Sequence, residues 1–302
     1  MTHIAVLGST NMDLVAYVSK APQRGETVTG REFRTLPGGK GANQAVAAAR
    51  AGADAVSMIG AVGADAFGAQ LRGALDHSGV DTDLLRTVDT EPTGTAHIVV
   101  DDEGGNAIVV IPGANATLTA LAPGDEGLIA SADTLLLQLE IPVEGVLAAA
   151  QAARRHGVRT ILTPAPAQPL PPELLDAIDV LVPNEHEAAT LTGLTDPHEA
   201  ARSLLSRVPE VVVTLGARGS LYATRDAEPI LVEAPRVTAV DSTGAGDTFV
   251  GTLAVALAEG GSVRDALTWA SSAAALSVQR TGASSSMPFR AEIDARANGG
   301  TS

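Results

Sequence analysis

The segment Thr134-Leu135-Leu136-Leu137-Gln138-Leu139 is one of several short apolar runs that alternate along the chain with longer stretches rich in Ala and Leu. Other such runs are Ile4–Leu7, Thr160–Leu162, Val180–Val182 and Val211–Leu215. Short, continuous apolar runs are typical of strands buried on both faces, and the longer stretches between them are long enough for helices. The alternation predicts repeated βαβ units, and therefore a three-layer α/β fold around a doubly wound, mainly parallel sheet.

Two segments interrupt this alternation. One is Thr27–Arg34, and the other runs from Thr95–Val100 through the turn Asp101-Asp102-Glu103-Gly104-Gly105 into Ala107–Ile111. They indicate extended ribbons and a hairpin, which we expect to form a small β-sheet lid from about residues 14–36 and 93–112. The lid would cover a site at the carboxyl ends of the parallel strands. We expect residues 1–294 to form a single domain and residues 295–302 a disordered tail.

Composition narrows the class of protein. A chain of 302 residues with 45% hydrophobic content can bury a substantial core. The formal net charge of -15, with no local run of Lys or Arg, argues against nucleic acid as a partner. The absence of cysteine excludes disulfides, thiolate zinc sites and a cysteine nucleophile. No signal-peptide pattern and no long apolar run occur, so we expect a cytoplasmic protein with no membrane partner.

The strongest motif is Asp241-Ser242-Thr243-Gly244-Ala245-Gly246-Asp247-Thr248-Phe249, which leads into an apolar helical stretch. Glycines before a helix start let backbone N–H groups surround an anion such as a phosphate. A carboxylate repels such a ligand unless its basicity is needed, and phosphoryl transfer to an alcohol needs a base near the attacking hydroxyl. Asp247 is therefore a candidate general base; the alternative is that it only caps the helix.

A second glycine-rich turn, Pro37-Gly38-Gly39-Lys40-Gly41-Ala42-Asn43-Gln44, opens another predicted helix. It does not fit a Walker A loop, because Arg34 stands where the first glycine should be. Only two of the 20 Lys and Arg residues are lysines, Lys20 and Lys40, which suggests that a compact charge is needed in this turn. The alternative is a tight turn with a solvated lysine.

Polar residues also follow several predicted strands, at the edge where doubly wound sheets bind ligands. Asn11 and Asp13 follow the first strand, Glu140 ends the run at 134–139, and Asn184 and Glu187 follow the run at 180–182. Turn formation or helix capping could explain each of them, and Asn184 and Glu187 have the spacing of a capping box. The turn Thr214-Leu215-Gly216-Ala217-Arg218-Gly219 suits a nucleotide, whereas the chain has no GxGxxG motif of a dinucleotide dehydrogenase.

In order, and over about residues 4–293, these segments resemble the ribokinase family of carbohydrate kinases, also called the PfkB family. The two family signatures correspond to Gly38–Asn43 and Asp241–Asp247. The likeness within the family is strongest to the ribose-specific pattern, through Gly8-Ser9-x-Asn11-x-Asp13, Pro22-x-x-Gly25-Glu26-Thr27, Gly38–Gln44, Pro112-Gly113-Ala114-Asn115, Gln138-Leu139-Glu140 and Pro183-Asn184-Glu185.

The resemblance implies a role for each matching residue. The residues that would bind the sugar are Asn11, Asp13, Gly39, Lys40, Asn43, Glu140 and Asp247. Asp247 would be the catalytic base, beside an anion hole formed by the amides of Gly244, Ala245 and Gly246. The nucleotide would contact Asn184, Glu187, Thr214, Gly216, Gly219, Gly246 and Ser271, and Glu187 would hold Mg²⁺ through water. A monovalent cation, K⁺, would be bound by Asp241, Thr243, Ser277, Arg280, Gly282 and Ser286.

The activity implied by the resemblance is ATP-dependent phosphorylation of D-ribose at its 5-hydroxyl, giving ribose 5-phosphate and ADP. Alternatives are the same chemistry on deoxyribose, a ketohexose such as fructose, a nucleoside or a keto-deoxy sugar acid, and a catalytically silent sugar-binding regulator. Two positions depart from the family pattern: Ser271 replaces a larger adenine-contacting residue, and Thr163 stands where Asn is usual. The Ser242-Thr243-Gly244 stretch is the version found across the wider family and does not indicate ribose.

We also expect a homodimer. The lid segments carry more apolar residues than a protruding sheet should leave in contact with water, and pairing two lids about a twofold axis would bury them. These residues are Val28, Phe33, Ile98, Val100, Val109 and Ile111.

Overall fold

A computed structural model describes residues 1–299 of the chain. Its strands are β1 His3–Leu7, β2 Asn11–Tyr17, β3 Glu32–Gly38, β4 Ala55–Gly63, β5 Leu85–Val88, β6 Gly94–Val100, β7 Asn106–Ile111, β8 Thr134–Leu137, β9 Arg159–Leu162, β10 Val180–Leu181, β11 Glu210–Thr214, β12 Ser220–Thr224 and β13 Ile230–Val232. Its helices are α1 Lys40–Arg50, α2 Ala66–His77, α3 Asp125–Ser131, α4 Val143–His156, α5 Pro172–Leu175, α6 Glu185–Thr192, α7 Pro197–Leu204, α8 Ala245–Ala258, α9 Val263–Ser277 and α10 Arg290–Ala297.

The main sheet has nine strands in the order β13-β12-β11-β10-β9-β8-β1-β4-β5. Its pairs are parallel from β5 to β11, and only β12 and β13 run antiparallel at one edge. The strand order reverses at β1: β4 and β5 lie on one side of it, and β8 to β13 lie on the other. The predicted doubly wound, mainly parallel sheet is confirmed.

The central parallel strands, such as β1 and β8, are buried on both faces. In β1, Ile4 and Val6 belong to one core and Ala5 and Leu7 to the other, because successive side chains of a strand point to opposite faces. One core is completed by α1, α2, α8 and α9, and the other by α3, α4 and α7. This layering explains the uninterrupted apolar runs from which the fold was predicted.

A second, four-stranded sheet in the order β3-β2-β6-β7 forms the lid. The hairpin of β6 and β7 lies where the sequence predicted it. The prediction of an extended ribbon at Thr27–Arg34 is wrong in its first half, because the strand begins only at Glu32. Just before it, the N–H of Arg31 bonds to the carbonyl of Tyr17 at 2.8 Å. The first lid strand also begins earlier than expected, at Asn11, so this sheet carries Asn11 and Asp13.

The C-terminal boundary also differs from the prediction. The last helix continues through Ala297, and its Ile293 side chain is fully buried in a core. The backbone N–H of Phe289 donates to Glu292 at 2.9 Å and so stabilises the helix start. The tail predicted from residue 295 therefore begins too early, and residues 300–302 lie outside the described part of the chain. Within residues 1–299, no helix has both the length and the apolar character needed to cross a membrane.

Candidate active site

Two helix starts meet at the carboxyl edge of the main sheet, beneath the lid. At the first, Gly39 adopts φ 93°, and a Cβ there would lie 2.8–2.9 Å from backbone atoms of Ser9, Thr10 and Asn11. Only glycine allows this close approach of the helix to the end of β1. The N–H of Ala42 then bonds to the carbonyl of Ser9 at 3.0 Å, which fixes the start of α1 against the sheet.

Asp247 lies in the first turn of the second helix, α8, and its side chain is buried. Its carboxylate accepts hydrogen bonds from Asn43 Nδ2 and Gln44 Nε2, each at 3.1 Å. The N-cap of α8 is Gly244, with φ 73°, so the alternative that Asp247 only caps the helix is wrong. Burial raises the pKa of Asp247 above its ordinary value, while the charge of Lys40 and the bond from Gln44 oppose that rise.

Gly246 lies in the first turn of α8, and the space beside its Cα is open. A Cβ added to Gly246 would meet no atom within 4 Å. Helix geometry leaves the first N–H groups without an acceptor inside the helix, and the helix dipole adds positive potential there. The N–H of Ala245 bonds to the carbonyl of Ser242 at 3.2 Å. In this conformation the amide of Gly246 is thus more accessible to an anion than that of Ala245.

Polar groups from the lid and from the ends of β1 and β8 line a pocket beside Asp247. Glu140 accepts hydrogen bonds from the Ser9 hydroxyl at 2.6 Å and from the backbone N–H of Lys40 at 3.0 Å. Asn11 Oδ1 accepts one from Asn115 Nδ2 at 2.8 Å. Asn43 Oδ1 is buried and has no hydrogen-bond partner among the described residues, so this acceptor is unsatisfied.

The charge of Lys40 interacts with four carboxylates, three around this pocket and Glu187 on α6. Burial raises the pKa of Asp13 from 3.8 to about 7, and the charges of Glu140 and Asp247 add to the rise while Lys40 opposes it. The charge of Asp247 raises the pKa of Lys40 against the effect of burial, with Glu140, Glu187 and Asp13 contributing. The Lys40 ammonium is therefore held in its charged form, whereas Asp13 titrates near neutral pH.

A cavity of about 400 Å³ opens on the other side of Gly246. Its lining includes all of Thr214, Gly216, Gly219, Gly246 and Ser271. Ala274 and Ala275, which follow Ser271 on α9, also line this cavity with small apolar side chains. The sequence interpretation did not identify the opposite wall, which is formed by Ala234, Pro235, Arg236, Val237 and Ala239.

Asn184 and Glu187 form the capping box that their spacing allowed. The Glu187 carboxylate accepts from the backbone N–H and from Nδ2 of Asn184, each at 2.8 Å, and the N–H of Glu187 donates to Asn184 Oδ1 at 2.8 Å. Burial raises the pKa of Glu187 above its ordinary value. A bridge between Asn184 and Thr214 places this pair beside the cavity. No group of three or more His, Asp or Glu side chains that could ligate a metal occurs within residues 1–299.

The loop before α8 and the loop after α9 meet at Asp241. Its carboxylate accepts from the N–H and the hydroxyl of Thr243, at 2.9 and 2.7 Å, and from the N–H of Gly282 at 2.8 Å. Burial raises the pKa of Asp241, but these hydrogen bonds outweigh it and leave the pKa below its ordinary value. The Arg280 guanidinium pairs with Glu292 instead, so only the Arg280 carbonyl could serve as a cation ligand.

Ser277 and Ser286 lie in the same region, and each hydroxyl donates to a nearby backbone carbonyl. Ser277 bonds to Ala274 at 2.9 Å, and Ser286 bonds to Ala283 at 2.8 Å. The structure therefore brings Asp241, Thr243 and Gly282 into direct contact but gives Ser277 and Ser286 local partners.

Comparison with known proteins identifies the family. A model of the pfkB family of carbohydrate kinases matches residues 1–290. This chain belongs to the pfkB family of carbohydrate kinases. It is 45% identical to ribokinase of Bacillus subtilis (strain 168), covering 97% of this chain and 99% of that protein, and 42% identical to ribokinase of Schizosaccharomyces pombe, covering 99% and 98%. The structure of Arabidopsis thaliana ribokinase complexed with ribose and ATP superposes with a TM-score of 0.94, at 36% identity, over 99% of this chain and 100% of that one.

As a pfkB family kinase, the chain is a phosphotransferase with a sugar hydroxyl as acceptor, as predicted. The match to a family of kinases argues against the alternative of a catalytically silent sugar-binding regulator.

Sequence reasoning gave no role to Ser9, Gln44 or Asn115 of this kinase. Each is buried and bonds directly to a predicted site residue. Gln44 and Asn115 stand in segments that carried the family resemblance, but nothing in the sequence indicated which partner each side chain contacts. Thr163, which replaces the usual Asn, accepts a hydrogen bond from Gln44 Nε2 at 3.2 Å and so retains an acceptor at this position.

Proposed function

We propose that this kinase transfers the γ-phosphoryl group of ATP to the 5-hydroxyl of D-ribose, giving ribose 5-phosphate and ADP. The similarity to ribokinases at 42–45% identity over nearly the whole chain supports ribose as the substrate. The similarity to a structure described as complexed with ribose and ATP supports the pair of ligands.

The observation that carries the proposal is the position of Asp247 between two half-sites. On one side lies the polar pocket of Asn11, Asp13 and Glu140, and on the other the cavity that includes Gly246. A sugar hydroxyl beside Asp247 would lose its proton to the carboxylate as its oxygen bonds to the γ-phosphorus. The bond from that phosphorus to the β-γ bridging oxygen breaks, and ADP leaves. Positive potential at the helix start and Lys40 would stabilise the charge on the transferred group.

The pocket chemistry favours a neutral sugar. Carboxylates of Asp13 and Glu140, together with the free acceptor Asn43 Oδ1, suit hydroxyl donors. Lys40 is the cation that faces them, and its charge already interacts with Asp247, Glu140, Glu187 and Asp13. A sugar acid or sugar phosphate would add a further negative charge without a second cation to bind it.

Mg²⁺ would accompany ATP and be held through water by Glu187. Both carboxylate oxygens of Glu187 accept hydrogen bonds from Asn184, which suits an indirect contact better than direct ligation. Bound Mg²⁺ neutralises phosphate charge.

K⁺ fits the oxygen-rich junction of Asp241, Thr243 and Gly282, with Ser277, Ser286 and the Arg280 carbonyl as the remaining candidates. Oxygen ligands of this kind suit a hard cation, whose charge would hold the two loops together.

A lid-to-lid homodimer is supported by exposed apolar side chains. Phe33 is 62% exposed and Val109 is 63% exposed, and all six residues of β7 are exposed along an edge of the lid sheet. An edge strand with such a face pairs readily with a second copy.

We further propose that the enzyme acts in the cytoplasm on a small sugar and ATP, with neither nucleic acid nor membrane as a partner. The net charge of -15 argues against binding to nucleic acid.

The test is an ADP-release assay with MgATP and a panel of neutral sugars, nucleosides and keto-deoxy sugar acids. We expect ribose to give the highest kcat/KM. A higher kcat/KM for another acceptor would overturn ribose as the substrate but not the kinase activity. Sugar binding without ADP release would overturn both the substrate and the kinase activity.

A further inference from the structure

Two buried glutamines connect the main sheet to Asp247. The side chain of Gln138, at the end of β8, donates through Nε2 to Oε1 of Gln44 at 2.6 Å. Gln44, on α1, donates in turn through Nε2 to Asp247 Oδ1 at 3.1 Å. Both glutamine side chains are fully buried, so these bonds do not compete with water.

The charge on Asp247 fixes the orientation of this pair. An ionised carboxylate only accepts hydrogen bonds, so Gln44 must direct its NH₂ group towards Asp247. Its Oε1 then faces Gln138, which must present its own NH₂ group. The second N–H of Gln44 goes to Thr163 Oγ1 at 3.2 Å. A half-turn of the Gln44 amide would place its oxygen against the Asp247 carboxylate and lose the hydrogen bond between them.

The far end of the pair has a matching steric feature. Gln138 Oε1 points at Gly8, where an added Cβ would overlap with it. That oxygen has no hydrogen-bond partner among residues 1–299. An unpaired buried acceptor costs free energy. The bond that Gln138 Nε2 donates to Gln44 therefore maintains the orientation of Gln138, because its Oε1 makes no hydrogen bond that could do so.

We propose that Gln44, oriented by Gln138, is a positioning residue that fixes Asp247 Oδ1 and thereby directs the carboxylate at the acceptor hydroxyl. The inference rests on the proposed role of Asp247 as general base. Asn43 holds the other oxygen, Oδ2, at 3.1 Å, but it is also a candidate sugar ligand. Within residues 1–299, the Gln44 side chain hydrogen-bonds only to Asp247, Thr163 and Gln138. Loss of Gln44 is therefore expected to reduce turnover without reducing sugar affinity.

A second consequence concerns the pH dependence of turnover. The charged groups that act on Asp247 are Lys40 on α1, Glu140 after β8, Asp13 on β2 and Glu187 on α6. A hydrogen bond donated to the ionised form favours that form, so the bond from Gln44 opposes the effect of burial. Removing it is expected to move the acidic limb of kcat to higher pH.

The test compares Gln44→Met, which keeps the length of the side chain but removes its donors, with Gln151→Met on the exposed face of α4 as a matched control. Gln44→Met is expected to lower kcat about 10- to 100-fold, to leave KM for ribose nearly unchanged, and to move the acidic limb of kcat upward by about 1 pH unit. The limb is measured at saturating ribose, so that Asp13 is covered by the sugar. Gln151→Met is expected to match wild type.

A second pair of variants tests the orientation. Gln138→Met leaves Gln44 without its donor, and Gln138→Glu places an acceptor there, which favours a rotated Gln44 with its oxygen towards Asp247. We expect Gln138→Glu to lower kcat more than Gln138→Met at equal thermal stability. This pair also decides the matter if Gln44→Met does not fold.

Asp247→Asn, assayed in parallel, separates the two hypotheses. If Asp247→Asn loses turnover but Gln44→Met retains the kcat and pH profile of wild type, the positioning role is wrong and the proposed function stands. If Asp247→Asn turns over normally, both are withdrawn. Equal kcat in the two Gln138 variants would also overturn the positioning role.

Discussion

Asn43 Nδ2 donates a 3.1 Å hydrogen bond to Asp247 Oδ2. The two residues are 204 positions apart in sequence, and their bond joins the first turns of α1 and α8. The opposite atom of the same amide, Oδ1, is buried and unpartnered within residues 1–299. One end of the Asn43 amide therefore holds the candidate base, while the other end is an unsatisfied acceptor.

Asp247→Asn is expected to lower kcat by at least about 10²- to 10⁴-fold, because a neutral amide cannot accept the proton of the attacking hydroxyl. KM for ribose should change much less, since the loss falls on the transition state. Initial rates with saturating MgATP check this, with Asp265→Asn as the control, because Asp265 lies in the first turn of α9 but is exposed. A folded Asp247→Asn variant with normal kcat would remove this residue from the mechanism.

Ribose is expected to exceed 2-deoxyribose and fructose in kcat/KM. A missing or misplaced hydroxyl leaves a buried partner such as Asn43 Oδ1 unpaired, at about 1–3 kcal/mol for each group. The preference should shrink in Asn43→Ala, measured on the same sugars. An unchanged preference in that variant would show that other residues select the sugar.

The affinity for ribose should depend on pH near neutrality. The pKa of Asp13 is about 7 in the unliganded protein, so lowering the pH through 7 protonates a carboxylate that would otherwise accept sugar hydroxyls. KM for ribose is expected to rise towards low pH by up to about tenfold per pH unit below the pKa. In Asp13→Asn the KM should stay near the high value that wild type reaches at low pH, with this dependence flattened. A wild-type KM that is constant across this range would contradict the assignment.

The same group affects stability with the opposite sign. Because the folded pKa of Asp13 is raised above 3.8, the folded state binds more protons than the unfolded state between about pH 4 and 7. The Asp13 contribution to the free energy of unfolding therefore decreases as the pH rises through this window. Relative to wild type, Asp13→Asn is expected to be more stabilising at pH values above 7 than near 4, as measured by denaturant titration without ligand.

Val109→Lys is expected to convert a lid-to-lid dimer into a monomer, because it places a charge on the exposed apolar edge of the lid. The molar mass in solution at micromolar concentration is the measurement. Leu231→Lys is the matched control, since Leu231 is also exposed but lies at the far edge of the main sheet. A wild-type protein that is monomeric under these conditions would contradict the lid interface.

K⁺ is expected to raise the initial rate more than Na⁺ or a bulky organic cation at equal ionic strength. A cation at Asp241 would fix the loop that runs into Gly244 and Gly246, and loosening preorganised donors costs about 2.7–4 kcal/mol for each one lost. Asp241→Ala should abolish the difference between the salts, whereas Asp226→Ala on an exposed turn should keep it. Equal rates of wild type in all three salts would show that no such cation acts here.

The pattern of apolar and polar residues was enough to predict the layered fold and the edge of the sheet where the candidate site lies. Runs such as Ile4–Leu7 are apolar at every position because both faces of the strand are covered, and polar residues that follow such runs lie together wherever parallel strands end. The family resemblance, confirmed by the match over residues 1–290, supplied the expected roles.

Which side chains meet could be learned only from the folded chain. Gln44 and Asp247 lie 203 residues apart in sequence, and their contact depends on α1 and α8 packing side by side. The start of the second lid strand at Glu32, and the helix that continues to Ala297, also depended on distant partners: Tyr17 in the first case and the core around Ile293 in the second. The local sequence pattern indicates which residues of a strand or helix are buried. The raised pKa of Asp13, however, arises from burial and from charges on three other segments, which only the folded chain brings together.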